Sequence, residues 1–465
     1  MFPLRTLAIA LAVTLASGCT LIPEYRRPGA PVPETWPSGP SYKGGAAAPL
    51  GAEVPWRAFF TDERLQAVIA AALENNRELR SAALNVERAR ALYRIQRAEL
   101  LPAVDAVGSG SKARVPYDLS GTGRAETVEQ YRAELGVASW EIDFFGRIRS
   151  LERRALEEYL ATEQARRAAQ ILLVSEVAYA YLVLAADREG LQLAQSTLEA
   201  QQASYDLIRR RFEVGIVPAL DLRQVQTRVD AARVDVARYT ELVAKGENAL
   251  TLLSGAAVPG AWLPEGLSAV ASLPDVSAGT GSEVLLSRPD VLQAEGLLKA
   301  ANADIGAARA AFFPRIALTA GVGTASEQLT GLFQSGSLAW SYTPVIVMPI
   351  FDARTWAALD ASEVQQRIAL NQYEGAIQAA FREVADALAR RGTMSEQLAA
   401  QQSLVEATAE TYRLSNARYE KGSDIYLNVL DAQRSLYSAQ QGLIAIRLVK
   451  LLNQVRLYAA LGGGV

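Results

Sequence analysis

The chain has 465 residues, 50% of them hydrophobic, and a formal net charge of −3. A charge so close to neutral argues against a nucleic-acid partner, because such proteins need a concentrated basic surface. Histidine is absent and there is one cysteine, which excludes histidine-dependent nucleophiles, histidine-ligated zinc and internal disulfides. Carboxylate or lysine chemistry remains possible in principle. No acid–base constellation is present, so we expect neither an enzyme nor a metal site.

The N-terminus, residues 1–18, is predicted to be a signal peptide. A short positive region is followed by an apolar run at 7–15, which is too short to cross a bilayer as a helix. Small residues then precede Cys19, an arrangement similar to the bacterial lipobox, whose cysteine is lipidated and becomes the mature N-terminus. The alternative is a simple signal peptide with an incidental cysteine. Thr20 follows, where Asp would signal inner-membrane retention, so the pattern indicates the outer membrane.

The remaining segments follow from composition and periodicity. Residues 19–61 are rich in Pro and Gly and predict an extended segment. Helices are predicted at 62–102, with Asp62 as N-cap, and strands 1 and 2 at 103–143. Further segments are a long helical hairpin at 144–254, an equatorial linker at 255–288, a helix at 289–314, strands 3 and 4 at 315–351, a second long hairpin at 352–461 and a tail at 462–465.

The chain contains an internal duplication. The motif RAELLP at 97–102 is answered by RAAFFP at 309–314, and RFEVG at 211–215 is answered by RYEKG at 418–422. Both RFEVG and RYEKG are followed by a leucine at the same spacing, Leu220 and Leu427. Two matched pairs in the same order indicate a repeated unit of about 200 residues, longer than any solenoid repeat.

Each repeat combines two strands with very long helices. Alternating residues predict strands at 104–110, 131–137, 316–323 and 338–348, and the segments 116–129 and 326–337 are predicted to be loops. No proline interrupts 146–212, so this helix would run for roughly 100 Å. Its predicted packing seam consists of Leu172, Val174, Val177, Tyr181 and Leu184.

Four strands with one apolar face cannot close a membrane barrel, since spanning barrels begin near eight strands. An open sheet in lipid would leave its edge N–H and C=O groups unpaired. The strands therefore either pack as a soluble sandwich or are completed by other subunits. Tyr131, Trp340 and Tyr342 on the apolar faces favour a membrane interface.

Several motifs together resemble the outer membrane factor (TolC-like) family, most closely its OprM-like lipoprotein branch. They are RAAFFP at 309–314, WEIDFFG at 140–146, LDAQRS at 430–435 and YAALGGG at 458–464. The resemblance implies an α+β membrane protein, a homotrimer whose twelve-stranded β-barrel receives four strands from each chain. The barrel would continue into a twelve-helix periplasmic α-barrel with a mixed equatorial domain. The implied partners are outer-membrane lipid, a periplasmic adaptor protein and an inner-membrane transporter of the resistance-nodulation-division (RND) class.

The breaks between the long helices are predicted hairpin tips, because glycine permits the reversal of the chain. The resemblance implies adaptor contact at these tips, through Gly215, Ile216, Leu220, Gly422 and Ser423. The bland alternative is that both glycines are only helix C-caps.

A gate is predicted beside the second tip. Leu427, Asp431 and Arg434 share one helix face at i, i+4 and i+7. Threefold symmetry would stack them as apolar, acidic and basic rings that close the pore, and Tyr419 matches a supporting tyrosine of the family. The alternative is an ordinary surface pair of Asp431 and Arg434.

The expected function is passive export of drugs and other small toxic compounds through an outer-membrane duct with a periplasmic gate. A type I protein-secretion duct is an alternative with the same architecture, and an envelope spacer lipoprotein would explain the helices but leave the strands without a role. Apart from a covalent lipid on Cys19, no cofactor is expected.

Overall fold

The structure is a computed structural model that describes residues 20–43, 49–279 and 281–464. The predicted signal peptide, 1–18, and the predicted lipidation residue, Cys19, lie outside the described residues. The helices are α1 (Trp56–Phe59), α2 (Glu63–Asn75), α3 (Arg77–Ala98), α4 (Arg147–Glu213), α5 (Ala219–Ser254), α6 (Pro289–Ala310), α7 (Ala353–Glu420) and α8 (Tyr426–Ala460). The strands are β1 (Asp105–Val115), β2 (Glu126–Ile142), β3 (Arg315–Ser326) and β4 (Leu338–Val347). Short 3₁₀ helices lie at Gly51–Glu53, Gly260–Trp262, Leu267–Ala269, Ser282–Ser287 and Leu329–Gly331.

The chain forms two compact units. Of the described residues, the first unit contains 20–29, 85–163 and 293–373, and the second contains 30–43, 49–84, 164–279, 281–292 and 374–464. The long helices α4, α5, α7 and α8 lie within the predicted hairpins 144–254 and 352–461, because uninterrupted good helix formers set their length and Gly and Pro set their ends. Two segments differ from the sequence prediction. Short helices lie in the predicted extended segment 19–61 and in the linker 255–288, where apolar residues such as Trp56 and Leu285 are buried.

The first unit is built around an antiparallel sheet with the order β1-β2-β3-β4. Its apolar face is defined by the cross-strand row of Leu135, Val322 and Trp340, because directly paired residues point to the same side of a sheet. These three side chains are 57%, 54% and 77% exposed within the chain. The sheet therefore turns a face of large apolar side chains outward.

The strands β1 and β2 extend beyond the prediction. Residues 116–129 were expected to form a loop, but β2 begins at Glu126, which pairs with Val115. The prediction was wrong because this part of the sheet lacks apolar alternation. It is held by ladder hydrogen bonds and by an ion pair between Lys112 and Glu129, which lie directly opposite each other.

A β-bulge interrupts β2 between Val137 and Trp140. Val137 pairs with Ala320 and Trp140 with Leu318, so three steps along β2 match two along β3. The inserted residue Ser139 has a φ of 52°, and its N–H donates to Thr319 Oγ1 at 3.1 Å. The bulge keeps Val137 and Trp140 on one face although they are an odd number of residues apart.

The N-terminal strap, residues 20–29, packs along α6. Its main anchor is Glu295, whose side chain is 4% exposed. Arg27 donates to both carboxylate oxygens of Glu295, at 3.0 and 2.6 Å. Tyr25 Oη donates to Oε1 at 3.1 Å, and Lys299 Nζ lies 3.1 Å from the same atom. The buried carboxylate is thus compensated by two cations and a hydroxyl, as a buried charge requires.

In the second unit, the core face of α4 differs from the predicted seam at one residue. Val174, Val177, Tyr181 and Leu184 are buried, but Leu172 is 58% exposed. The buried residues recur at intervals of three and four, whereas two residues rotate an α-helix by roughly 200°, so Leu172 faces away. An apolar stretch of α4 could cross a membrane by length and composition alone. Of this stretch, 56% is buried within the chain, which is typical of a core helix.

A buried arginine ties the linker to the last helix. Arg288 donates to Ala460 O at 2.7 Å. It also donates to both carboxylate oxygens of Asp290, at 3.0 and 2.7 Å, and to Glu383 at 3.0 Å. These contacts bring together α6, α7 and the C-terminal end of α8, so one side chain satisfies an otherwise unpaired helix carbonyl.

We expect Gly255→Ala to destabilise the protein by roughly 3 kcal/mol. Gly255 ends α5 at a φ of 67°, and an added Cβ would lie 2.4 Å from Asn75 O. Gly215→Ala is the matched control. Gly215 has a φ of 79° but open space around the added Cβ, so only the backbone strain of about 1 kcal/mol applies. Thermal unfolding followed by circular dichroism measures both variants, and equal losses would contradict the proposed clash.

Candidate functional site

Both hairpin tips have the same backbone geometry. Gly215 and Gly422 have φ values of 79° and 73°. Ile216 N–H donates to Arg211 O at 2.9 Å, and Ser423 N–H donates to Arg418 O at 3.0 Å. Each glycine N–H also donates to the carbonyl three residues earlier. This pattern is the Schellman motif, which ends a helix and satisfies its last carbonyls.

A small hydrophobic cluster packs the two tips together. Ile208 on α4, Val225 on α5 and Leu430 on α8 are buried against one another. Tyr426, the first residue of α8, packs onto this cluster, and burial raises the pKa of its hydroxyl. The two hairpins therefore pack together next to their tips, and the exposed tip residues lie beyond this cluster.

Polar contacts join the end of α4 to the end of α7. Arg211 Nη1 donates to Tyr419 Oη at 2.8 Å, and the guanidinium carbon lies 5.7 Å from the centroid of the same ring. The rings of Tyr419 and Tyr426 are 4.8 Å apart. Arg418 forms a 3.3 Å ion pair with Asp424 across the second tip. Tyr419 is thus the centre of an interaction between the two hairpins.

The three predicted gate residues lie side by side on the exposed face of α8. Leu427 is 41% exposed, and the side chains of Asp431 and Arg434 are 51% and 63% exposed. Asp431 Oδ1 and Arg434 Nη2 are 3.3 Å apart. Within one chain this is the ordinary i,i+3 surface pair, and its role in a gate stays a prediction. The matching positions of the first repeat, Leu220, Gln224 and Thr227, carry no charge.

The tips expose more apolar surface than the sequence prediction named. Ile216 and Leu220 are 72% and 64% exposed, but so are Val214 at 70% and Ile425 at 62%. Val214 directly precedes Gly215 and Ile425 follows Gly422 by three residues, positions near the tip glycines that could have identified them. Arg211 was also missed, because its contact with Tyr419 spans 208 residues and no local pattern reports it.

The comparison with known families matches the chain in two segments, which agree with the two halves of the internal duplication. Residues 68–256 and 280–463 match the family described as outer membrane efflux protein. The two matched segments correspond to the two predicted repeats, each containing a strand pair and a long helical hairpin.

Individual proteins match almost the whole chain. The probable efflux pump outer membrane protein TtgC of Pseudomonas putida is 50% identical over 461 residues, 98% of this chain and 95% of its own length. The outer membrane protein OprJ of Pseudomonas aeruginosa is 41% identical over 459 residues, 98% of this chain and 95% of its own length. The open state of the MtrE outer membrane channel of Neisseria gonorrhoeae superposes with a TM-score of 0.87 at 37% identity, covering 96% and 98% of the two chains.

These likenesses bear on the fold as well as on the sequence. A solved outer membrane channel and this chain share the same arrangement of four strands and long helices over nearly their full lengths. The predicted fold class, an α+β membrane protein with four strands in each chain, is confirmed.

Proposed function

This chain belongs to the outer membrane efflux protein family, and we propose that it is the exit duct of a tripartite RND-type pump. The family resemblance deduced from the sequence motifs is confirmed, as is the function of an outer membrane efflux channel. In the proposed assembly the duct carries no catalytic residues. It passively conducts compounds delivered by an inner-membrane transporter and a periplasmic adaptor.

The open sheet is the single observation that carries the proposal. Its outer strands β1 and β4 each have one edge without a strand partner among the described residues. Unpaired backbone groups are excluded from lipid at several kcal/mol each, so other chains have to complete the sheet. Three copies give twelve strands, enough for a closed barrel with a central channel.

The tips and the gate residues supply the proposed periplasmic end. The exposed apolar residues Val214, Ile216, Leu220 and Ile425 offer the adaptor a contact surface beside Gly215, Gly422 and Ser423. Leu427, Asp431 and Arg434 form the closing rings, with Tyr419 behind them. A lipid on Cys19 anchors the N-terminus to the outer membrane, from which the helices extend into the periplasm.

The substrates are proposed from the names of relatives. Relatives that are 50% identical to this chain are described as outer membrane proteins of an antibiotic efflux pump and of a toluene efflux pump. Small apolar toxic compounds are therefore the proposed cargo. Protein export by a type I system would use the same architecture and is the outcome to be separated by experiment.

Deleting the gene is expected to raise the accumulation of a fluorescent pump substrate in cells, and restoring it should lower accumulation again. The effect should require a proton-driven RND pump, so a strain lacking that pump is the control. If restored protein reaches the outer membrane without changing accumulation, drug export is contradicted. Secretion of a type I protein substrate, measured in the same strains, would then identify the alternative.

A further inference from the structure

Strand β1 carries two cations at its loop end, on the apolar face of the sheet. Lys112 is directly opposite Glu129, and Arg114 is directly opposite Thr127. In the same register Gly110 faces Tyr131. Since alternate residues of β2 share a face, these positions lie on the same side as Leu135. The rim pair, Lys112 and Arg114, therefore points toward the membrane and not into the channel.

The position of the rim pair corresponds to the headgroup layer. Tyr131 is the last aromatic residue on this face of β2, and aromatic belts lie at the membrane–water interface. Lys112 is two residues beyond the position opposite Tyr131, and Arg114 is four residues beyond it. At about 3.4 Å per residue, these distances are roughly 7 and 14 Å. The cations thus lie beyond the hydrocarbon core, where lipid phosphates are found.

The rim pair has unsatisfied positive charge. Lys112 forms an ion pair with Glu129, whose other oxygen accepts from Tyr131 Oη at 3.3 Å. Lys112 is 66% exposed, and its ammonium retains further donors. Arg114 is exposed and has no hydrogen bond or ion pair to any residue that the structure describes. A free guanidinium beside a half-compensated ammonium suits a phosphate group, which accepts bidentate hydrogen bonds from arginine.

We propose that Lys112 and Arg114 bind the phosphate of a phosphorylated lipid in the outer leaflet of the outer membrane. On the same face, four residues before Lys112 and beyond the Tyr131 ring, Gly108 has open space around its backbone and no side chain to obstruct an acyl chain. The anionic headgroup would lie on the rim pair and the acyl chains along the apolar face of the sheet. This inference rests on the proposed orientation, in which the loop between β1 and β2 faces the cell exterior.

The test is native mass spectrometry of the purified full-length channel with bisphosphorylated lipid A as the probe. The variant Lys112→Gln with Arg114→Gln should retain this lipid roughly 30-fold more weakly, because each interfacial cation contributes separately to the attraction. Lipid A with both phosphates removed should bind the wild type about as weakly as it binds the variant. Inorganic phosphate at the same concentration should leave the wild-type protein without an adduct.

The matched control is Arg233→Gln with Lys245→Gln, which removes two exposed cations from α5 that likewise lie near acidic residues. It should retain lipid A as the wild type does. Equal retention by the rim variant, or retention that does not depend on phosphate, would overturn the proposal, and an adduct of inorganic phosphate would indicate a simple ion site. Conductance of the same preparations tests the duct separately, so failure here leaves the proposed function intact.

Discussion

Replacing Asp431 and Arg434 together by alanine is expected to raise the resting conductance of the reconstituted channel by about tenfold. The 3.3 Å pair within one chain is compatible with both states, so only links between the acidic and basic rings of neighbouring subunits would favour the closed state. Three such exposed links at about 0.5 kcal/mol each would hold the closed state by roughly 1.5 kcal/mol, which is about a tenfold change in the open-to-closed ratio. Single-channel recording in planar bilayers measures the effect.

The matched control for the gate is a second pair of the same kind. Glu410 and Arg413 on α7 are also three residues apart and similarly exposed, with a distance of 2.7 Å. Replacing both by alanine should leave resting conductance within error of the wild type. If the Asp431 and Arg434 variant also shows no change, the pair is an ordinary surface contact and the gate assignment is wrong, while the duct remains.

The second large effect is expected at the strap anchor. Glu295→Gln keeps the shape of the side chain but removes the charge that Arg27 and Lys299 compensate. We expect the opening of residues 20–29 to become easier by about 3 kcal/mol, or roughly 100-fold. The rate of amide hydrogen exchange in residues 20–29 reports this opening. Glu24→Gln, which breaks an exposed ion pair with Arg26 in the same strap, should change the rate little, and equal effects of both variants would contradict the anchor.

The effect of Glu295→Gln should depend on pH. Burial alone would raise the pKa of Glu295, but the hydrogen bonds and charges of Arg27 and Lys299 outweigh it and hold the pKa below its usual value. The stabilisation is therefore complete above the unfolded value of about 4.3 and is lost as pH falls through the lower native value. Hydrogen exchange of the strap should show the difference between wild type and variant shrinking as the pH falls from about 4.3 through the lower native pKa. A difference that does not shrink as the pH falls would exclude the charge as its cause.

Local patterns in the sequence determine most of this fold. The repeat pairs, the tip glycines and the long uninterrupted runs predicted the two long helical hairpins, because chain reversal and helix propensity depend on neighbouring residues. Leu172 was predicted to lie in the packing seam because it is apolar, but it is out of phase with the helical period of the buried residues and is exposed. The neighbouring residue Ile171 is in phase with the buried face and is 8% exposed.

Contacts between distant residues could not be predicted in this way. Arg288 and Ala460 are 172 residues apart, and Arg211 and Tyr419 are 208 apart. Nothing near either arginine in the sequence identifies its partner. The candidate gate was found because its three residues are spaced to lie on one helix face. The contact between Arg211 and Tyr419 could be recognised only from the folded structure. The predicted roles of Cys19, the tips and the gate residues remain predictions.

The β-bulge at Ser139 shifts the alternation of β2 by one residue, so that a different set of residues faces the membrane on each side of it. Before the bulge in the chain, odd-numbered residues such as Leu135 point to the membrane side. After it, the even-numbered residues Trp140 and Ile142 point to that side. Without the bulge, the same sequence would alternate without interruption, and the residues that follow Ser139 would point to the opposite sides of the sheet. Glu141, which binds Arg147 and Arg315, would then face lipid. Loss of Ser139 itself would instead leave Trp140 and Ile142 on the membrane side, because Trp140 would then follow Val137 by two residues.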